Sequence, residues 1–151
     1  KNKESQIEEV VSEISKMNSF SGKVVRTFEG ENIVDYSFNI PETSTTSISM
    51  DGALIRITEN EIPYATVYIS YEGARGFTPF DYITNIISPH VSVLNITDVV
   101  SIGTHSWQKA ESEGSEWHIA PIANDQWLMV VESKKLNHDF VIKSLESVKA
   151  E

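Results

Sequence analysis

The chain contains no cysteine. That absence excludes a disulfide framework, a thiolate zinc site, an iron–sulfur cluster and a cysteine nucleophile. Cationic side chains are scarce as well. Twelve Lys and Arg stand against 22 Asp and Glu, for a formal net charge of −10. Bare nucleic acid and anionic membrane surfaces both need a cationic footprint, so neither is an expected partner. Long apolar runs are also missing. Val91–Val100 and Ile119–Val131 are the most apolar stretches, and polar residues interrupt both. Neither approaches the ~20 apolar residues that span a bilayer. No internal repeat or long linker divides the chain, and the most biased segment, Pro41–Ser47, is a short polar loop.

What is present describes one globular domain. The 151 residues fall close to the size of a typical single domain. Area scaling gives ~7,700 Å² folded against ~24,500 Å² unfolded, enough burial for a core without covalent or metal staples. A hydrophobic content of 40% and a charged content of 23% fit a folded chain rather than a disordered one. The sequence starts Lys1-Asn2-Lys3-Glu4 without Met and without a signal-peptide pattern, which reads as a processed or truncated chain. A start just past a lipidated Cys is one form of that expectation.

Patterning sets an order of elements. Ser5 and Glu8 form a capping-box pair, and Ile7, Val10, Val11, Ile14 and Met17 recur at helical spacing, which predicts a helix over about 4–18. Residues 1–20 are expected to be that helix, and 21–151 the domain it packs with as one unit. Strands are predicted over about 23–29 and 33–40. In the second, Val34, Tyr36, Phe38 and Ile40 alternate with polar residues. Asp51-Gly52 suits a tight hairpin between further strands at 46–50 and 53–58, and Tyr64–Tyr71 is rich in aromatic and β-branched residues. Thr78 and Pro79 open a helix that Pro89 closes. Val91–Ile96 and Val99–Ile102 read as extended. Strands at 105–112, 116–122 and 126–133 then form a meander, and Asn137 is a candidate cap for a last helix over about 137–149. Folding the first hairpin of the meander about Gly114 puts Trp107, Trp117, Ile119, Trp127, Met129 and Val131 on one face. Short turns between neighbouring strands imply antiparallel pairing, hence an α+β fold with a large, mostly antiparallel sheet flanked by helices.

Several strings resemble the PsbP-like family, whose α/β/α sandwich is shared with bacterial envelope proteins of the DcrB and LpqN type. They are Tyr36-Ser37-Phe38-Asn39-Ile40-Pro41, Thr78-Pro79-Phe80-Asp81-Tyr82, Ser101-Ile102-Gly103 before Trp107, Gln126–Val131 and Phe140–Leu145. The resemblance covers about residues 33–149. It implies a non-catalytic binding or accessory role outside the cytoplasm, at the periplasm, the cell surface or beyond. It supplies no catalytic residue.

Few residue patterns in the chain carry chemistry. His90, His105, His118 and His138 show neither a His-Glu-x-x-His motif nor a helical His pair, so they read as ordinary surface or partly buried histidines. No nucleophile elbow, acylation motif or phosphate loop is present. Arg75, in Glu72-Gly73-Ala74-Arg75-Gly76, lies near the start of the Thr78 helix and is a candidate for holding one anion, although turn-making glycines explain the loop. Acidic residues gather at turns and read as solvated charge rather than a calcium loop. Trp107, Trp117 and Trp127 are candidates for an exposed aromatic binding face, against the plainer reading that they are core. Asn95-Ile96-Thr97 matches a glycosylation sequon, which matters only in a eukaryotic secretory setting.

The expected function is a non-catalytic extracytoplasmic accessory domain that contacts another protein. It would be monomeric, with membrane contact only through a lost N-terminal anchor, such as that of a lipoprotein. A small-ligand or carbohydrate-binding module is the alternative, and an enzyme with a carboxylate or histidine site is the third reading. No cofactor or metal is expected.

Overall fold

The structure is a computed structural model that describes residues 16–27 and 30–151. Most of the helix expected over 4–18 lies outside those residues. Its last positions do not: β1 already runs extended from Met17 to Arg26. It pairs antiparallel with β2 (Asn32–Pro41), and Phe20 lies opposite Phe38. Pairing with the neighbouring hairpin strand, rather than helical spacing alone, decides the conformation of Met17–Phe20.

β3 (Ser44–Ser49), β4 (Leu54–Glu59) and β5 (Ile62–Ser70) follow as a meander. The β3–β4 connection spans Met50–Ala53 rather than the expected two-residue hairpin, since Ser49 pairs with Leu54; Met50, Asp51 and Gly52 have φ of 54°, 54° and 91°, and Asp51-Gly52 supplies two residues that tolerate such angles. A tight turn at Asn60-Glu61, also with positive φ, links β4 to β5. After β5 the chain makes a short 3₁₀ turn at Tyr71–Arg75 and enters α1 (Pro79–Tyr82). The expected cap is present: the Thr78 hydroxyl accepts from the Asp81 backbone N–H at 3.1 Å, and the Asp81 carboxylate accepts from the Thr78 N–H at 3.0 Å. α1 continues as a π turn, Ile83–Ile87, and a 3₁₀ turn ending at His90.

β6 (Asn95–Ile102), β7 (His105–Ser112), β8 (Ser115–Ile122) and β9 (Trp127–Lys134) complete the meander. α2 (His138–Glu146) follows, and a two-residue strand, β10 (Lys149–Ala150), ends the chain against β2.

The strands form two antiparallel sheets. One has three strands in the order β1-β2-β10, and the other seven in the order β3-β4-β5-β9-β8-β7-β6. The α+β class with mostly antiparallel pairing is therefore as expected. The layering differs from one sheet flanked by helices, because one face of the large sheet is covered partly by the small sheet. Val34, Tyr36, Phe38 and Ile40 of β2 and Val141 and Leu145 of α2 pack there against Ile55, Val67, Trp107, Trp127 and Met129. On the opposite face Tyr82, Ile83 and Ile87 pack on Trp117, Ile119, Leu128 and Val130. The void enclosed between the sheets and α2 is only about 10 Å³, too small for a ligand.

The meander's register differs from expectation by one residue. Gln108 lies opposite Ile119, and Ala110 opposite Trp117. Only Glu113 and Gly114 separate the two strands, so the hairpin is centred between those residues rather than on Gly114. A one-residue slip sends every side chain to the other face. Trp117 and Ile119 consequently join the α1 face, while Trp107, Trp127, Met129 and Val131 share the other core.

Candidate functional site

The three tryptophans are core residues. Trp107, Trp117 and Trp127 are 0%, 7% and 1% exposed. The proposed aromatic binding face is therefore corrected: these rings fill the spaces between layers, as large aromatics do in a covered sheet. The Trp107 indole N–H donates to the Ile102 carbonyl oxygen at 3.3 Å, and Trp127 meets Tyr71 edge-on at 4.6 Å between ring centroids.

Arg75 is exposed, and its guanidinium lies 3.6 Å from the Glu72 carboxylate. The N-terminus of α1 does not wait for an outside anion, because Asp81 already supplies a carboxylate there. Hydrogen bonds from Thr78 hold the Asp81 carboxyl below its usual range. Arg75 instead borders an open cleft of about 580 Å³ with Arg26, Tyr68, Tyr71, Asn124 and Asp125. The chain has three arginines, Arg26, Arg56 and Arg75, so two of them line this cleft. Its two walls meet at Gly73, where an added Cβ would lie 2.5 Å from the Asp125 carbonyl oxygen. The opposite wall is the turn Ala123-Asn124-Asp125, with φ of 50°, 60° and 63°. Three successive left-handed residues without glycine cost energy that the surrounding contacts must offset.

A second constellation lies at the β8–α2 contact. In β8, Glu116 and His118 are two residues apart and so share a face. Val131 of β9 and Lys109 of β7 lie opposite His118, while Ser133 and Glu111 lie opposite Glu116. Beyond β9 the chain turns through Lys135–Asn137, and α2 begins with His138 above the same face. Asn137 forms no side-chain cap, contrary to expectation; its amide N–H donates to the Tyr64 carbonyl oxygen at 3.2 Å and fixes the turn.

The cluster is polar within a largely apolar surround. His138 Nδ1 lies 2.6 Å from Glu116 Oε1, and Lys109 Nζ lies 3.8 Å from Glu116 Oε2. The Glu116 side chain is 3% exposed, that of Lys109 25% and that of His138 39%. His118 is 0% exposed, and its ring centroid is 6.1 Å from that of His138. Neither ring nitrogen of His118 has a hydrogen-bond partner among the described residues, and neither does the buried Ser133 hydroxyl. Burial pushes the His118 imidazole down to about 4, with the charges of Lys109 and His138 adding to the effect. One ligand atom from each of Glu116, His118 and His138 lies within 4.8 Å of the others.

Sequence reasoning places Glu116 and His118 on one strand but has no means of adding His138. The histidines that sequence pattern treats as independent are thus joined in one case. His90 and His105 belong to other elements, the 3₁₀ turn after α1 and the start of β7. Comparison with models of known protein families and with curated proteins finds no match to the chain. Among the described residues no helix is long and apolar enough to cross a membrane.

Proposed function

We propose that this chain is a non-catalytic binding domain of PsbP-like type, acting outside the cytoplasm as an accessory to a protein partner, and that the Arg26–Arg75 cleft is its binding site. One observation carries the reading. In a chain of net charge −10, two of three arginines line one open cleft together with two tyrosines, and Glu72, 3.6 Å from Arg75, and Asp125 stand on the same walls. Guanidinium groups pair with carboxylates in a planar, two-pronged geometry, and tyrosine rings add contact area at low entropy cost. Such a cleft suits an acidic segment of a partner that carries an apolar or aromatic neighbour. The chain's overall negative charge disfavours acidic partners elsewhere on the surface. The antiparallel sheet with covering layers on both faces, and the strings around Tyr36, Thr78 and Phe140, support the PsbP-like part.

Peptide titrations followed by two-dimensional NMR test the cleft. A peptide with paired Asp or Glu beside an aromatic residue is expected to shift the Tyr68–Arg75 and Asn124–Gln126 amides. Arg26→Gln together with Arg75→Gln is expected to abolish the shifts while the melting temperature stays unchanged. Shifts that survive both substitutions, or a panel of acidic peptides and small carboxylates that produces none, would overturn the reading. The extracytoplasmic part is tested separately by the encoded residues ahead of Lys1. An apolar run closing on a small residue and Cys supports lipid anchoring, and an initiating Met immediately before Lys1 refutes it.

A further inference from the structure

We propose that Glu116, His118 and His138 form a binding site for a divalent transition-metal ion of the zinc class. The site is separate from the Arg26–Arg75 cleft and does not depend on it.

Three observations converge on this assignment. The first is the donor set. Two imidazoles and one carboxylate converge, with one ligand atom from each lying within 4.8 Å of the others. That is the nitrogen–nitrogen–oxygen combination that suits zinc and its neighbours, and three protein ligands leave a further position for water. A tetrahedral site with metal–ligand bonds of ~2.1 Å spaces its ligand atoms ~3.4 Å apart. The Glu116–His138 contact at 2.6 Å must therefore open by roughly 0.8 Å. The partly exposed His138 at the start of α2 can supply that movement.

The second observation is independent of the carboxylate. His118 is fully buried, and both of its ring nitrogens lack a hydrogen-bond partner among the described residues. A buried polar atom left in that state costs about 1–3 kcal/mol, so native structures rarely retain one without a reason. A metal ion takes up the lone-pair nitrogen that has no other use in the core. The third observation is Ser133, directly across from Glu116, whose buried hydroxyl is also without a partner among the described residues. It is placed to hydrogen-bond a metal-bound water or the ligating carboxylate.

The ion's route and its competitor are both visible. His138 and Lys109 are the solvent-facing members of the cluster, so the ion enters beside them. Without metal, Lys109 balances the Glu116 charge from 3.8 Å. Its long side chain is partly exposed and can swing toward water when a divalent ion takes that role.

Metal analysis and calorimetry on the full chain test the proposal. The protein is first stripped with a chelator and then titrated with zinc, and with cobalt as a spectroscopic probe. One ion is expected per chain, with a higher melting temperature and visible cobalt absorption from nitrogen and oxygen ligation. His118 lies in the core, so the informative variants are His138→Ala, at a partly exposed position, and Glu116→Gln, which keeps the side-chain shape. Each is expected to stay folded by circular dichroism and to lose at least about 100-fold in zinc affinity. A His90→Ala/His105→Ala double variant is expected to bind as the parent does. The proposal is overturned if the folded parent binds no zinc at stoichiometric levels. It is equally overturned if binding survives both His138→Ala and Glu116→Gln, or disappears in the His90/His105 variant.

Discussion

The Tyr36 hydroxyl donates a hydrogen bond to the Gly52 carbonyl oxygen at 2.9 Å and so ties the three-stranded sheet to a turn of the seven-stranded one. Gly22, across from Tyr36 in the β1–β2 register, makes room for this. A Cβ at residue 22 would lie 2.4 Å from the Tyr36 hydroxyl oxygen and 2.6 Å from the ring carbon that bears it. The tyrosine can cross between the sheets only because its neighbour on β1 has no side chain.

That relationship predicts two different costs. Tyr36→Phe removes one hydrogen bond from a buried ring and is expected to lower stability by about 1 kcal/mol. Gly22→Ala forces the ring to shift within a packed core and is expected to cost roughly 1–3 kcal/mol. Urea unfolding of both variants measures the difference. A neutral Gly22→Ala would show that the Tyr36 ring does not occupy this space.

The tryptophans provide an optical test of the layered core. All three are expected to emit at short wavelength in the native state and to resist acrylamide quenching, because none exceeds 7% exposure. Sugars or aromatic ligands are expected to leave the emission unchanged. Trp107→Ala is expected to cost about 3–5 kcal/mol, the usual range for emptying such a site. Native-state quenching close to that of the urea-unfolded chain would contradict the burial of these rings.

Buried tyrosines predict a loss of stability at alkaline pH. Burial pushes the Tyr36 hydroxyl up to about 12 and the Tyr64 hydroxyl also to about 12, the latter against the lowering effect of its 3.1 Å hydrogen bond with Ser144. Burial raises Tyr82 as well. In the unfolded chain these groups ionise near pH ~10. Below that pH both states are neutral and stability is complete. Above it the unfolded chain loses protons first, so stability falls as pH rises through the folded values. Between about pH 9 and about pH 11 each buried ring contributes about 1 kcal/mol to that fall. Urea midpoints compared between about pH 9 and about pH 11 measure it, and Tyr64→Phe is expected to remove part of the slope. Midpoints that stay flat over this interval would contradict it.

Local chemistry accounts for much of the fold. The alternation Val34, Tyr36, Phe38, Ile40 marks β2 because period 2 belongs to strands, and those four side chains face the core. Thr78 and Pro79 announce a helix start because the hydroxyl satisfies a backbone N–H of the first turn and proline lacks the N–H that would go unpaired there; the structure adds the Asp81 carboxylate to that cap. Asp51-Gly52 marks a turn that needs positive φ. Each signal lies within a few residues of the structure it specifies. Met17 is the opposite case: it fits the end of a helical stripe, and pairing with β2 overrides it.

The candidate metal site shows where sequence pattern ends. Composition by itself removes thiol chemistry, and a net charge of −10 sets the polarity that any partner must accommodate. Strand period puts Glu116 and His118 on one face. The β7–β8 register was not legible, because a hairpin centred on Gly114 and one centred between Glu113 and Gly114 suit the same residues equally well. Only packing on both faces selects the second, and it sends Trp117 to α1 and leaves His118 facing α2. His138 joins the cluster because the chain leaving β9 turns at Asn137 and lays α2 back across the sheet. No spacing rule encodes that meeting. It follows from the burial of Val141 and Leu145, whose apolar surface draws α2 onto the sheet and carries His138 to within 2.6 Å of Glu116.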